Sequence, residues 1–181
     1  MFAICRIYVL IVFAVFHACG STSDRDKKRD LLNQKYKLLY IQNFDNRSNF
    51  GGVTGRLKEK LLIAVDRDGR LKITPDKEQA DLVLYGQVML YGDRPSIMDN
   101  FSEPLVYNLT VLTSIKLRIN LRKHSDEIKN DGVLIDQKLV RSDATFSPRQ
   151  PPFETKFEAE ETLLDVLANR IVMALFGDEL D

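Results

Sequence analysis

The chain is short of the residues that carry most enzymatic chemistry: it has two cysteines, Cys5 and Cys19, two histidines, His17 and His124, and no tryptophan. Cys5 and His17 fall in an N-terminal segment that reads as an export signal, so one cysteine and one histidine remain in the mature chain. A single cysteine excludes an internal disulfide and a thiolate metal site, even in a compartment that would permit them. The single histidine sits in the charged stretch Lys123-His124-Ser125-Asp126-Glu127, which all but excludes a histidine-based triad or a histidine-rich metal site. Paired carboxylates can do acid and base work without histidine when burial separates their pKa values. No such pair stands out, because the acidic residues lie mostly in mixed-charge runs such as Asp24-Arg25-Asp26-Lys27-Lys28-Arg29-Asp30, which read as solvated surface. An excess of charge of either sign is also missing. The mature part loses only Arg6, leaving 25 basic residues against 26 acidic, so no global field gathers nucleic acid. The expectation is a protein that is not an enzyme and has no metal, cofactor or nucleic-acid partner, with a periplasmic hydrolase as the weakest alternative.

What the chain does have begins at its N-terminus. Positions 7–18 are almost wholly apolar over twelve residues, behind a short segment charged only at Arg6. As a helix, twelve residues cover about 18 Å, well short of the roughly 30 Å hydrocarbon core, so the run suits the apolar region of an export signal better than a membrane span. The junction Phe16-His17-Ala18-Cys19-Gly20-Ser21 resembles a bacterial lipobox, in which the cysteine is diacylated through sulfur, the chain is cut before it and the new amine is acylated. It departs from the usual pattern at Phe16, where most lipoboxes carry leucine, and at His17. Cys19 is therefore the expected lipidation site, against an ordinary signal cut near Ala18 or an uncleaved anchor. Removing residues 1–18 leaves 163, enough for one domain with a real core. Residues 19–36, polar and weakly periodic, read as the lipidated cysteine and a flexible tether able to reach about 50 Å from a membrane.

From residue 37 the pattern is that of a fold. Lys37-Leu38-Leu39-Tyr40-Ile41-Gln42-Asn43-Phe44 is a predicted strand followed by a turn cluster. Beyond Gly51-Gly52, Leu57, Leu61, Ala64 and Val65 share one face of a predicted helix that Asp68-Gly69 ends. A short edge-like strand at 70–74 closes at Pro75. Residues 81–91 are apolar on both faces, as in a central strand covered on two sides. Over 105–121 the odd positions are mainly apolar and the even ones mainly polar, a seventeen-residue alternation that predicts a long strand. Asn130-Asp131-Gly132 supplies turn chemistry before a third long strand, 133–146, so these strands should form an antiparallel meander. The tail from Phe153 to Phe176 is helical in period, acidic at Glu158, Glu160 and Glu161 in its first turns, and stopped by Gly177. The predicted fold is an α/β (α+β) sandwich: a mixed, largely antiparallel sheet of four to five strands with two helices packed on one face.

With these elements placed, the chain from Leu38 onward resembles the lipopolysaccharide-assembly lipoprotein family, LptE. The resemblance is carried by Ile41-Gln42-Asn43-Phe44-Asp45-Asn46-Arg47, by Leu57 to Ala64 followed by Asp68-Gly69-Arg70-Leu71, and by Gln79-Ala80-Asp81-Leu82-Val83-Leu84-Tyr85-Gly86. Tyr91-Gly92-Asp93-Arg94-Pro95, the stretch from Tyr107 to Leu117 and the acidic final helix add to it. The resemblance implies an LptE-like domain over 37–181 in an outer-membrane lipoprotein, anchored at the periplasmic face through acylated Cys19. Its partners would be an LptD-like β-barrel, whose lumen it plugs and whose assembly it supports, and lipopolysaccharide in transit to the outer leaflet. Similar stretches occur in other envelope lipoproteins of related architecture, and the alternative is a binding module for a peptidoglycan synthase or a secretion pore. The chain departs from the family in lacking a C-terminal tryptophan, a place that Phe176 fills.

Phe44, Ala80, Leu82, Leu84 and Gly86 are expected to be packing positions, and Asn46 to shape its turn through side-chain bonds to the backbone. The candidate contact residues are basic. Lys116 and Arg118 lie two apart on the polar face of the 105–121 strand and so point the same way. Arg94, expected in the loop before that strand, and Arg122 beyond it extend the group. Arginine suits bidentate contact with phosphate, which makes Arg94, Lys116, Arg118 and Arg122 the expected lipopolysaccharide or barrel contacts.

Overall fold

The computed structural model describes residues 35–123, 132–151 and 153–177. The signal segment, Cys19, nearly all of the tether, His124 and the Asn130-Asp131 turn lie outside the described residues. In chain order the elements are β1 (Leu38–Ile41), β2 (Asp45–Asn46), α1 (Val53–Asp68), β3 (Lys72–Ile73), β4 (Leu82–Met98), β5 (Pro104–Ile119), β6 (Val133–Phe146) and α2 (Lys156–Phe176). The sheet runs β3-β1-β4-β5-β6, with β2 pairing β4 off that path. β1 is parallel to β3 and β4, while β4, β5 and β6 form the expected antiparallel meander. The described residues form six strands rather than four to five, because the first expected strand ends at Ile41 and two residues of the expected turn cluster, Asp45 and Asn46, pair with β4 as β2.

The alternation in β5 decides which face is the core. Leu109, Val111, Thr113, Ile115, Leu117 and Ile119 are all buried, and the register sets Leu82 and Leu84 of β4 beside Ile119 and Leu117 on the same face. Leu39 and Ile41 of β1 continue this face. Onto it pack Leu57, Leu61 and Val65 of α1 and Leu163, Leu164, Leu167 and Ile171 of α2. Burying each such side chain contributes about 1.5 to 3 kcal/mol, which is why a period-2 strand and two period-3.6 helices lock together.

Both helices end on a glycine in the left-handed region, Gly69 at φ 73° and Gly177 at φ 75°, whose N–H groups donate to the carbonyls of Val65 and Met173. α2 also starts on a capping box: the Thr155 hydroxyl accepts from the Glu158 N–H while the Glu158 carboxylate accepts from the Thr155 N–H. That hydrogen bonding holds the Glu158 carboxyl below its ordinary pKa. Glu158 therefore acts through direct capping bonds, and the other two acidic residues of these turns have different partners. Glu160 is buried, accepts from the Tyr91 hydroxyl of β4 and is paired with Arg56 of α1 at 2.7 Å. Glu161 takes Arg56 at 2.9 Å and Lys60 at 2.7 Å, and Lys60 also reaches Asp165 at 3.2 Å. A buried carboxylate is tolerated only when paired, so Glu160 ties both helices and the longest strand to one point.

Two readings are corrected. Residues 81–91 are apolar on both faces, yet among the described residues helices cover only one. Val83 and Tyr85 belong to the uncovered face, where Val83 is shielded by the walls of a cleft, and the register shift between Val88 and Leu90 moves Met89 and Leu90 outward before Tyr91 returns to the core. The strand also does not stop at Tyr91. It runs to Met98, so Arg94 is a strand residue opposite Asn108 and not a loop residue. Gly92, Asp93 and Pro95 are poor strand formers, and it is the long pairing with β5 that holds them extended.

The packing expectations hold: Phe44, Ala80, Leu82 and Leu84 are buried. Asn46 Oδ1 accepts from the Ser48 N–H at 2.9 Å while Nδ2 donates to the Phe50 carbonyl at 2.7 Å, the turn role expected of it. Gly86 is required by close approach, since a Cβ there would lie 2.2 Å from Cε2 of the buried Phe44 ring. Gly86→Ala should cost about 1 to 3 kcal/mol by overpacking. Gly92→Ala, in the same strand with nothing within 4 Å, should change the denaturant midpoint little. Equal midpoints for the two variants would refute the Phe44 contact.

Burial, then the bond to Glu160, pushes the Tyr91 phenol up from its ordinary pKa. A raised folded-state value stabilises the fold fully below the unfolded phenol's pKa of about 10 and is lost as pH climbs above it. Thermal midpoints should therefore fall more steeply above about pH 10 in the wild type than in Tyr91→Phe, which has no phenol to ionise.

Candidate functional site

The uncovered face of the sheet carries Tyr40 of β1 with Gln42 just beyond it, Val83, Tyr85, Gln87 and Leu90 of β4, and Leu112, Ser114, Lys116 and Arg118 of β5. Leu139 of β6, opposite Ser114, is 60% exposed, and Leu90 is 46% exposed. Such a mixture of aliphatic, aromatic and basic side chains is what a sheet shows when its second face is left for something other than its own helices.

At the end of this face where β1 begins, the sheet opens into a cleft of about 420 Å³. It is lined by Lys77, Glu78, Val83, Tyr85, Arg118, Ile119, Asn120, Leu121 and Arg122. Val83 and Tyr85 give an apolar and aromatic floor, and the loop between β3 and β4 supplies one wall. Lys77 of that loop stretches across the sheet, donating to Gln42 Oε1 at 3.1 Å, with its ammonium 5.3 Å from the centre of the Tyr85 ring.

Two polar side chains fix this wall. Asn120 Nδ2 donates to the carbonyls of Lys77 at 2.8 Å, Ala80 at 2.9 Å and Glu78 at 3.4 Å, so one amide holds the loop against the end of β5. Asp81, buried, accepts from the N–H groups of Lys37 and Leu38 at 2.9 Å each through Oδ2, and Oδ1 meets Lys123 Nζ at 2.6 Å. The carboxylate thus clamps the point where the N-terminal segment enters the fold to the rim of the cleft.

The structure brings together some of the basic residues expected to act as a group and separates others. Arg118 and Arg122 line the cleft, and Arg122 is paired with Glu78 of the opposite wall at 2.5 Å. Lys116 shares the face of Arg118, as its spacing requires, but sits outside the cleft and is paired with Asp136 of β6 at 2.8 Å. Arg94 is on the same face yet lies opposite Asn108, eight positions along β5 from Lys116. At about 3.3 Å per residue that is roughly 26 Å, so Arg94 is no part of the same contact patch. Lys77, Glu78 and Tyr85 are cleft residues that the sequence reading did not single out. For Tyr85 part of the signal was present, since strand alternation puts it on one face with Val83, but its place beside Lys116 is set by register, and Lys77 and Glu78 arrive from a loop whose position no periodicity encodes.

Chemically, the cleft is suited to an anionic group attached to an apolar or sugar-like body. Lys77, Arg118 and Arg122 supply the cations, and Tyr85 a stacking surface. Among the described residues no group of three or more His, Cys, Asp or Glu could hold a metal ion, and no helix is long and apolar enough to cross a membrane. If Asn120 organises the wall, Asn120→Ala should cost about 1 to 3 kcal/mol through three unsatisfied carbonyls, and Arg122→Ala less than about 1 kcal/mol as an exposed pair. Comparable denaturation midpoints for the two would show that the loop holds its place without the amide.

No protein-family model and no curated protein matches the chain. Solved structures do. A hypothetical protein of Chlamydia trachomatis, CT253, aligns over 78% of this chain and 96% of its own at a TM-score of 0.53 and 8% identity. Protein XCC0632 of Xanthomonas campestris, from the family DUF330, aligns over 79% of this chain and 85% of its own at 0.52 and 14% identity. A minor lipoprotein of Acinetobacter baumannii matches more loosely, at 0.46 and 12% identity over 79% of this chain and 94% of its own, too distant to carry an inference. At these identities the first two likenesses establish a shared fold, a mixed sheet with two helices.

Proposed function

We propose that the chain is a lipid-anchored envelope protein, not an enzyme, that serves outer-membrane lipopolysaccharide assembly as an LptE-like accessory. In this reading Cys19 carries the acyl chains, the uncovered sheet face seats against an LptD-like β-barrel, and the cleft offers Arg118, Arg122 and Lys77 to phosphorylated lipopolysaccharide. The observation that carries the proposal is the one-sided sheet. A domain with a complete core beneath its helices still exposes Leu90 and Leu139 on its other face, beside a basic cleft. Exposed apolar area next to fixed cations fits a surface that meets both a protein wall and a phosphorylated amphiphile. Two or three acyl chains on one cysteine, at about 0.8 kcal/mol per buried CH₂, would anchor such a protein stably, which one chain would not.

The test uses the full-length protein purified from membranes of its own bacterium. The wild type should bring down a large β-barrel and bind purified lipopolysaccharide with an affinity that falls as salt rises. Lys116→Glu with Arg118→Glu should weaken that binding and flatten its salt dependence while leaving the fold intact, because half-buried strand-face charges outside the core contribute little to stability. Cys19→Ser should abolish labelling by a palmitate analogue. Recovery of a peptidoglycan synthase or a secretion pore in place of the barrel would move the assignment to the alternative. Lipopolysaccharide binding that the charge reversals leave unchanged would remove the cleft from it.

A further inference from the structure

We propose that the cleft end of the fold is a membrane-docking surface, where the cleft takes the phosphate of an anionic phospholipid from the leaflet that holds the acyl anchor and Leu121 sits at the interface. This docking rests on the lipid anchor at Cys19 proposed above, while its occupant, the bilayer itself, lies outside that reading.

One carboxylate joins the entry of the chain to the rim of the cleft. Asp81 Oδ2 accepts from the N–H groups of Lys37 and Leu38, where the chain enters the fold, and Oδ1 meets Lys123 Nζ at 2.6 Å. The same ammonium donates to the Gln79 carbonyl of the β3–β4 loop at 2.9 Å. Chain entry, rim and loop wall thus meet at one point. Sixteen residues lead from Cys19 to Lys35, the first described residue, and fully extended they span about 55 Å at most. The hairpin tip at Met98 lies roughly 53 Å along β4 from Leu82, so the anchor holds the cleft end, not the tip, nearest the bilayer. Held there, the domain docks in an effectively intramolecular step, for which weak headgroup contacts suffice.

Charge at this corner complements an anionic leaflet. Lys37, Lys77, Arg122 and Lys123 are exposed, and Arg118 is half-buried in the cleft lining. Against these five stand three carboxylates: buried Asp81, Glu78, which is paired with Arg122, and Asp76, whose Oδ1 accepts from the Glu78 N–H at 2.8 Å. Positive charge remains in excess, and it lies beside the point to which the chain is tied.

The apolar part of the rim points to a bilayer rather than to a soluble anion. Leu121, between Asn120 and Arg122, is 45% exposed. A soluble phosphate would use the cations and leave this side chain in water. At a bilayer, the leucine enters the boundary between headgroups and acyl chains while the long basic side chains lie at the level of the phosphates. Arg118 and Arg122 suit a phosphate through paired N–H donors, and the Val83 and Tyr85 floor gives the glycerol and first methylenes an apolar and aromatic surface. Lipopolysaccharide carries the same phosphate chemistry, so the experiment sets the two lipids side by side.

The experiment uses the full-length protein purified from membranes of its own bacterium. A thiol introduced as Gln79→Cys beside the rim, or as Phe101→Cys near the hairpin tip, carries an environment-sensitive fluorophore, Cys19 being blocked by its acyl chain. Each protein is reconstituted into phosphatidylcholine vesicles holding a headgroup-level quencher, either alone, with phosphatidylglycerol, or with lipopolysaccharide. Flotation with the neutral vesicles reads the anchor by itself. With phosphatidylglycerol, quenching at position 79 should rise severalfold over neutral vesicles and fall back as salt is raised, while position 101 stays unquenched. Arg118→Gln with Arg122→Gln should return position 79 to the neutral level, and Leu121→Ser should weaken the quenching, both at unchanged thermal midpoints. Equal quenching in neutral and anionic vesicles, equal quenching at both positions, or an effect that the arginine variant keeps would overturn the docking surface. A response to lipopolysaccharide alone would overturn the phospholipid assignment and leave the cleft to the function proposed above. Failure to float on neutral vesicles would remove the anchor; flotation on phosphatidylglycerol vesicles that the arginine variant loses would then still uphold the surface, and its absence would overturn both.

Discussion

Two helices must cover one face of a sheet whose central strands are far longer than either helix, and most features of the molecule follow from that mismatch. The odd residues of β5 from Leu109 to Ile119, with Leu82, Leu84, Val88 and Tyr91 of β4, are buried where α1 and α2 lie over them. Beyond Asp93 no helix of the described residues covers the sheet, and the same two strands continue into solvent as a hairpin. Among the described residues no helix covers the opposite face, where half-buried side chains and cross-strand contacts take the place of a second core layer.

Polar groups appear where this arrangement needs a fixed point. Glu160 is buried between α1, α2 and β4, and pairing with Arg56 and Tyr91 offsets the cost of placing a carboxylate there. Arg56 and Lys60, one helical turn apart, meet Glu160, Glu161 and Asp165, which sets the rotation of one helix against the other as apolar contact alone would not. At the other end of the sheet, Asp81 and Asn120 perform the equivalent task for the chain entry and the β3–β4 loop. On the outer edge, Arg170 of α2 donates to the Arg141 carbonyl of β6 at 2.6 Å, and Gln137 at φ 48° marks a break in the β5–β6 register. Both features make the exposed edge a poor template for another strand.

Function, in this reading, is placed where the helices are not. The cleft occupies the uncovered face at the end where β1 begins and the hairpin tip lies at the other end, so the two exposed features are separated by nearly the full length of β4.

The sequence by itself determined the order and type of every described element except β2, the face of β5 that is buried, both helix stops and the packing role of Phe44 and Leu84. Each depends on local chemistry: periodicity, glycine at positive φ, and apolar side chains at fixed spacing. It also placed Lys116 and Arg118 on one face, because alternation in a strand is a local rule. Only the tertiary structure decided that residues 81–91 are covered on one side, that β4 extends through Gly92 and Pro95, and that Arg94 is remote from Arg118 while Lys77 is near it. Those outcomes are set by strand register, by the length of helix available for cover and by where a loop crosses the sheet. All three are relations between distant segments, which no single window of sequence contains.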